Sequence, residues 1–495
     1  MAVPQIPMAM NDTGMSPQPP SQPLYQKEPG MALFTMLCII LLISWRWSVN
    51  KLVSRAVSYM LDTVPKKFRA WTYLLDGPGL IQQGFDRSNG APYEIVAPDV
   101  RYVFVSSKEQ VMELDRAPDT TLSLQAASKQ MLQPIYTMHG FNWFDRRGTE
   151  GVGFVRALRV RHSPVYPTIV KLVVMSNAIS FFGKELGTNE KFLISALDYV
   201  EETLMCAEIV KLLPKKLAPL IARRLTCQKA IYDALIPIAT ERCEERERAK
   251  LGHPVPKHWI METAPRQKPW TPKRIVHELI AIWFGSVHAL STTITFAIQD
   301  LCLHPEYAKP LRDEAERMYA EFEKTGQGLP LLDSFLKESA RLTPVESMSM
   351  RRAATQPFTF ADGTKLAVGD WACTPVRAIM QSAEYYPSPL EFNGFRFARP
   401  DNLPSTGAPG QNFNFVQPEP SKLVDVSQAW HVWGMGRMAC PGRYYAVAVM
   451  KVIMSQIIMN YNCHLVDPDA SRWFTWRSTM LPKKDTMVVF TETKH

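Results

Sequence analysis

One cysteine in this chain sits where chemistry is concentrated. Cys440 lies in the stretch Trp433-Gly434-Met435-Gly436-Arg437-Met438-Ala439-Cys440-Pro441-Gly442-Arg443. Glycines stand six and four residues before it and two after it. They permit backbone conformations and close approaches that a side chain would block. The apolar run Tyr444 to Tyr461 follows at once and reads as a helix. A sulfur just ahead of a helix has backbone amides and the positive end of a dipole beside it, and both favour thiolate over thiol. A lone cysteine in an apolar chain is more often a buried small hydrophobe. Here the glycine frame, Pro441 and the following helix point instead to a thiolate held against a flat partner, the axial ligand of a heme iron. Such a ligand pushes electron density onto the metal and favours O–O cleavage.

The segment resembles the cysteine-ligand loop of the cytochrome P450 superfamily, usually Phe-Gly-x-Gly-x-Arg-x-Cys-x-Gly. Trp433 replaces the usual Phe and keeps an aromatic lid by the sulfur. Met438 stands where the family's Arg, or His in many fungal members, meets a heme propionate, and Arg437 is next to it. By that likeness the heme-binding set is Cys440, Trp433, Gly434, Gly436, Arg437, Gly442 and Arg352, with Cys440 the iron ligand. Arg351 and Arg352 follow the Glu-x-x-Arg helix where, by the same likeness, a strand lends an arginine to a propionate, since two anionic propionates need such bidentate partners; of the two, Arg352 is preferred. Arg156, Arg159 and Arg161 are further candidates.

Two more segments stand in the order this resemblance requires. Glu338-Ser339-Ala340-Arg341 lies in the helix expected over Leu331 to Leu342, about 100 residues before the cysteine loop. Glu and Arg three apart share a helix face and can pair. Phe392-Asn393-Gly394-Phe395-Arg396-Phe397 falls between. The likeness implies a buried network of Glu338, Arg341 and Arg396 that fixes the core carrying the loop. Upstream, the longest expected helix, Pro272 to Leu303, carries Phe284-Gly285-Ser286-Val287-His288-Ala289-Leu290-Ser291-Thr292-Thr293 at its centre. Hydroxyls there compete for backbone carbonyls and loosen the helix. This resembles the family's oxygen-activation segment, Ala/Gly-Gly-x-Asp/Glu-Thr-Thr/Ser, in a form similar to fungal members of the ent-kaurene oxidase type. His288 takes the acidic position and Ala289 the Thr position, so the usual relay hydroxyl is absent. Ser291, Thr292, ordered water or a substrate hydroxyl could stand in. As a lone residue, His288 is equally well read as a satisfied core histidine.

Elements elsewhere must hold these parts. The 495 residues are 46% hydrophobic and 21% charged, a globular composition. A net charge of +9 suits an acidic partner or an anionic membrane surface. No basic-aromatic repeat or Lys/Arg block supports nucleic acid. Eight cysteines without Cys-x-x-Cys or zinc spacing suit a reducing compartment. Residues 1–30 read as a disordered lumenal tail. Residues 31–45 form an uncharged run followed by Arg46 and Trp47, and 31–47 is expected as a single N-terminal transmembrane helix, with a signal peptide the rival reading. Basic residues downstream put the bulk of the chain, residues 48–495, on the cytosolic side of the endoplasmic reticulum membrane. Tyr93 to Val105 reads as two strands about a Pro-Asp turn, Met348 to Pro375 as a second strand region, and most of 160–345 as helix.

The expected fold is mostly α, the cytochrome P450 fold with small β-sheets. The resemblance implies b-type heme and a monooxygenase that oxidises an apolar small molecule, a terpenoid or indole-alkaloid secondary-metabolite intermediate. It would use O2 and NADPH through NADPH-cytochrome P450 reductase, with cytochrome b5 a possible second donor. The alternative is a heme-thiolate isomerase, dehydratase or peroxide user that needs no oxygen activation. A third class is a membrane heme-binding protein without turnover.

Overall fold

The computed structural model describes residues 66–133, 136, 162–213, 217–219, 229–250, 271–404 and 420–493. The tail and the expected anchor lie outside them, as do Arg156, Arg159 and Arg161 and the side chain of Arg437. In chain order the described helices are α1 (Lys66–Ser88), α2 (Lys108–Arg116), α3 (Leu124–Leu132), α4 (Val165–Gly187), α5 (Glu190–Leu212), α6 (Lys229–Lys250), α7 (Pro272–Leu303), α8 (Ala308–Thr325), α9 (Pro330–Leu342), α10 (Val376–Met380) and α11 (Arg443–Asn460). The strands are short: β1 (Tyr93–Val96), β2 (Arg101–Phe104), β3 (Leu122–Ser123), β4 (His162–Pro164), β5 (Ser349–Ala354), β6 (Phe358–Thr359), β7 (Lys365–Leu366), β8 (Trp371–Thr374), β9 (Tyr461–Leu465), β10 (Trp473–Trp476), β11 (Thr479–Pro482) and β12 (Met487–Glu492). Mostly helical with small sheets is therefore what the sequence folds into.

The central helix α7 starts where the sequence supplies a cap. Thr271 Oγ1 accepts the Arg274 amide at 3.3 Å, and Pro272 fills the first position, where no amide is missed. From Leu290 to Leu301 nearly every residue is buried. Its Leu290, Ile294, Ala297, Ile298 and Leu301 join the core with Val447, Met450, Ile453 and Ile457 of α11 and Phe335 and Leu336 of α9. Farther toward its N-terminus, Ile280, Trp283 and Val287 pack with Tyr166, Val170 and Val174 of α4. Helices α4 and α7 are each long and apolar enough to cross a membrane, but both pack into the cores of the fold.

The largest sheet runs β1-β2-β8-β5-β3, antiparallel except for the β2–β8 pair. Tyr93 to Val105 forms the β1–β2 hairpin, with Tyr93 opposite Phe104. Strand β5 slips register between Ser349 and Arg352 with Met350 at φ +49°, a bulge that re-aims the side chains after it. A second sheet, β4-β12-β9, joins the C-terminal segment to the start of α4.

Candidate active site

The cysteine loop is built by its glycines. Gly434 and Gly436 take φ of +74° and +57°, left-handed values that other residues adopt at a cost. A Cβ at Gly436 would lie 1.9 Å from Asp115 Oδ2 at the end of α2, so any side chain there displaces that carboxylate. The turn closes when the Cys440 amide donates to Trp433 O at 2.7 Å. Trp433 is itself fixed by its indole N–H, which donates to Leu423 O at 2.7 Å. Cys440 then stands at the head of α11, half-buried.

Burial pushes the Cys440 thiol up, against the amides of Gly442 and Arg443 and the Arg443 guanidinium, which lower it. The amides at the helix head favour the thiolate, as the sequence implies, and burial opposes them. A coordinated cation would tip that balance, because a metal-bound thiol is deprotonated outright. A small-residue cradle, a sulfur at a helix head and converging amide donors fit a heme iron. When bound, heme supplies oxygen activation and one-electron chemistry.

The core beneath the loop is a charge network with no exposed member. Glu338 accepts Arg341 Nε at 2.7 Å and Nη2 at 2.9 Å, and Arg396 Nε at 3.0 and 3.1 Å. Its Oε1 also takes the Asn393 amide at 2.9 Å. The remaining guanidinium donors go to carbonyls: Arg341 to Met380, Pro389 and Glu391, Arg396 to Pro387, Ser388 and Glu391. The three side chains named from the sequence thus meet as a fully satisfied cluster. Nearby Lys337, also buried, lies over the rings of Phe397 and Trp430 and donates to Ser421 Oγ, and burial pushes its ammonium down to about 8.

Of the two arginines on β5, Arg351 is paired with Glu346 at 2.5 Å. Arg352 is buried and its Nη1 donates to Arg351 O at 3.0 Å.

A tie missed by the sequence reading connects the cysteine helix to α7. Tyr445, five residues after Cys440, donates its hydroxyl to Asn177 Oδ1 of α4 at 2.7 Å. Asn177 is fully buried, and its amide donates to Ser286 O and Oγ of α7 at 3.0 and 3.1 Å. The stretch of α7 carrying His288 and Ala289 is thereby referenced to the helix carrying the sulfur. No sequence signal marks Asn177, which reads as an ordinary polar residue in a helix.

Along that stretch Ala289 is exposed, whereas Val287, Leu290, Ser291 and Thr292 are buried. Gly285, one turn earlier, is also exposed, and a Cβ there would meet nothing within 4 Å. This face of α7 is small and apolar. His288 points toward α4, where its Nδ1 lies 3.2 Å from the Tyr166 hydroxyl. Burial lowers the imidazole below its ordinary value, Glu201 raises it and Lys484 lowers it further. Ser291 donates its hydroxyl to Val287 O at 2.8 Å, and Thr293 to Ala289 O at 2.9 Å.

The sequence profile of the family described as Cytochrome P450 matches residues 138–490. The chain is 25% identical over 482 residues to cytochrome P450 monooxygenase janP of Penicillium janthinellum, covering 89% of this chain and 90% of that one. It is 26% identical to cytochrome P450 monooxygenase paxP of Penicillium paxilli, covering 87% and 88%. It is 29% identical to an ent-kaurene oxidase of Gibberella intermedia over 63% of this chain and 59% of that one. The structure of retinoic acid-bound cyanobacterial CYP120A1 shares the fold with a TM-score of 0.58 at 16% identity, covering 86% of this chain and 96% of that one. A profile match across most of the chain, the shared fold and a loop shaped for a thiolate-ligated heme agree: the chain belongs to the cytochrome P450 family and is a heme-thiolate monooxygenase.

Proposed function

We propose that this enzyme hydroxylates, or oxidises by a related step, a bulky apolar intermediate of fungal terpenoid or indole-alkaloid metabolism. Residues 31–47 anchor it in the endoplasmic reticulum membrane, and NADPH-cytochrome P450 reductase supplies electrons, with cytochrome b5 a second donor. Heme b is held by Cys440 and framed by Trp433, Gly434, Gly436, Arg437 and Gly442, with Arg352 toward the propionates. The observation that carries this reading is the exposed Gly285–Ala289 face of α7, tied through Ser286 and Asn177 to the Cys440 helix. An apolar surface of small residues beside the reacting centre accepts a hydrocarbon skeleton and excludes water from it. The resemblance to an ent-kaurene oxidase supports a rigid terpenoid skeleton.

Microsomes containing the protein and a reductase are incubated with a panel of terpenoid and indole-alkaloid scaffolds, with and without NADPH and O2. Oxygenated product that needs both supports the reading. Conversion that needs neither supports the isomerase or dehydratase alternative, to which the missing hydroxyl at Ala289 is suited.

A further inference from the structure

The ion pair of Glu346 and Arg351 stands on a segment that joins α7 to the cysteine loop. Residues 345–347 pair with the start of β11: the Met480 amide donates to Val345 O and the Ser347 amide to Ser478 O, both at 2.8 Å. The β10–β11 hairpin in turn packs on α7, where Phe296 meets Trp473 edge to face at 6.3 Å. At the other end, Ser349 donates its hydroxyl to His431 O at 2.7 Å. The same carbonyl accepts the Gly434 amide of the cysteine loop at 3.0 Å. The segment thus flanks the space between Cys440 and the Gly285–Ala289 face. Ser347, Met348 and Met350 are buried, whereas Glu346 and Arg351 keep accessible surface. The buried Tyr73, Tyr102 and Cys373 all act on the Arg351 guanidinium, yet 17% of that side chain is accessible. Accessible surface among such neighbours belongs to an interior space rather than to the outer face.

Glu346 is 34% accessible. Its Oε2 accepts Arg351 Nη2 at 2.5 Å and the Ser478 hydroxyl at 2.8 Å. Among the described residues its Oε1 accepts only the Thr479 hydroxyl, at 2.9 Å. A carboxylate oxygen takes two donors, so one position on Oε1 is open. An apolar skeleton that displaces water from this space deprives that oxygen of a hydrogen bond unless the skeleton returns one. We propose that Glu346 selects substrates carrying one neutral hydrogen-bond donor, a hydroxyl or an indole N–H, spaced from the carbon that is oxidised. This rests on the apolar-substrate reading above and adds the one polar group the skeleton must bear. The donor is neutral because Arg351 already balances the carboxylate: an amine cation would bring an uncompensated charge, and an anion would face Glu346. It is spaced from the oxidised carbon because the carboxylate stands on the β5–β11 wall, whereas the reacting centre lies between Cys440 and α7. Ser478 and Thr479 are positioning residues, whose hydroxyls fix the carboxylate.

The test uses the full-length, heme-loaded enzyme and needs no turnover. The probes are N-alkylimidazoles of increasing chain length, each ended by a hydroxyl, by its methyl ether or by a carboxylate. The imidazole ligates the iron, and Kd is read from the Soret shift. At the chain length that reaches the wall, the alcohol should bind the parent enzyme about ten- to a hundredfold tighter than its ether, the size expected of a hydrogen bond to a charged group. Apolar burial alone would favour the ether. Glu346→Ala should erase that ratio and, by leaving Arg351 without its partner, turn the preference to the carboxylate-ended probe. Glu346→Gln keeps an acceptor without the charge and should keep part of the ratio. Should a variant lose its heme, the alcohol-to-ether ratio of the parent still decides. An alcohol that binds no tighter than its ether at any chain length, or a ratio that survives Glu346→Ala, overturns the proposal. If the probes behave as expected but the parent gives no NADPH-dependent product, the monooxygenase reading fails and the selection of a donor stands.

Discussion

Replacing Glu338 with Gln tests how much the buried charge network holds up the heme loop. The carboxylate accepts four guanidinium hydrogen bonds and one amide, and all three charged side chains are almost fully buried. Glutamine keeps the shape but removes the charge, and its NH2 must face one of the two arginines donor to donor. Two guanidiniums then sit in a low-dielectric core without a counter-ion. Breaking a buried pair in this way costs about 3–5 kcal/mol. That is a roughly hundred- to several-thousand-fold shift in the folded-to-unfolded ratio, against a total stability of about 5–15 kcal/mol. Glu338→Asp keeps the charge but withdraws it by one methylene, so it should fall between parent and Gln.

The assay is heme-loaded protein per total protein, from the reduced carbon monoxide difference spectrum and immunoblotting, with the half-life of that spectrum at 37 °C. Lys309→Ala is the control, because its pairing with Asp313 is solvent-exposed at 82% and 57%. An exposed pair of that kind contributes about 0.5 kcal/mol or less. The expected order is parent equal to Lys309→Ala, then Asp, then Gln with little loaded protein. If Glu338→Gln loads heme and keeps the parent's half-life, the network is not what supports the loop.

Further expectations come from single contacts. Cys440→Ser should lose the thiolate-type carbon monoxide spectrum and all oxidation, and a retained spectrum would refute the assigned ligand. Gly436→Ala should lose heme through a left-handed φ costing about 1–2 kcal/mol and a clash with Asp115; adding Asp115→Ala should recover part of the loading, since only the clash is relieved. Burial holds His431 down at about 4, below its ordinary 6.5, so the unfolded chain takes up that proton first. Stability from this group is full above pH 6.5 and is lost as pH falls toward 4, a span worth about 3 kcal/mol; thermal melts of His431→Gln should show a flatter acid limb.

What the sequence made legible was local or fixed by order along the chain. The loop around Cys440 carries its own signal, because the glycine spacing, the proline and the apolar helix lie within one short segment. Glu338, Arg341 and Arg396 were each ordinary alone and became recognisable only as an ordered set before the loop. Helix α7 was legible to the residue, since Thr271 and Pro272 mark its start and the apolar run ends before Pro305. The rest depends on partners far apart in the chain. Tyr166 and His288 are separated by 122 residues, Tyr445 and Asn177 by 268, and Arg477 and Asp99 by 378. Each is a common residue type in an unremarkable helix, strand or turn, and only the packing of α4 on α7, or of the β10–β11 turn on α1, decides that they meet. Lys337 shows the same limit from the other side: its neighbours in sequence suggest a solvated charge, yet the rings of Phe397 and Trp430 cover it.

The β10–β11 turn gives that point an energetic test. Arg477 occupies it at φ +54°, donating to Glu208 at 2.7 Å and Asp99 at 2.8 Å, while its amide donates to Leu74 O. Two remote segments therefore meet its side chain and a third its backbone amide. Its carbonyl presses on α1 so closely that a Cβ at Gly77 would lie 1.8 Å from Arg477 O. Gly77 falls at the break in α1, where Asp76 leaves helical geometry at φ −140° and Pro78 follows. A methyl there meets backbone on the opposing segment, which cannot rotate aside. Gly77→Ala should cost about 3 kcal/mol, the upper end for overpacking, although alanine favours helix over glycine by about 1 kcal/mol. Propensity and packing thus predict opposite signs. A melting temperature that rises in Gly77→Ala would mean the turn does not seat against α1; a fall, with the carbon monoxide spectrum intact at low temperature, is the expected result, because neither segment carries the sulfur.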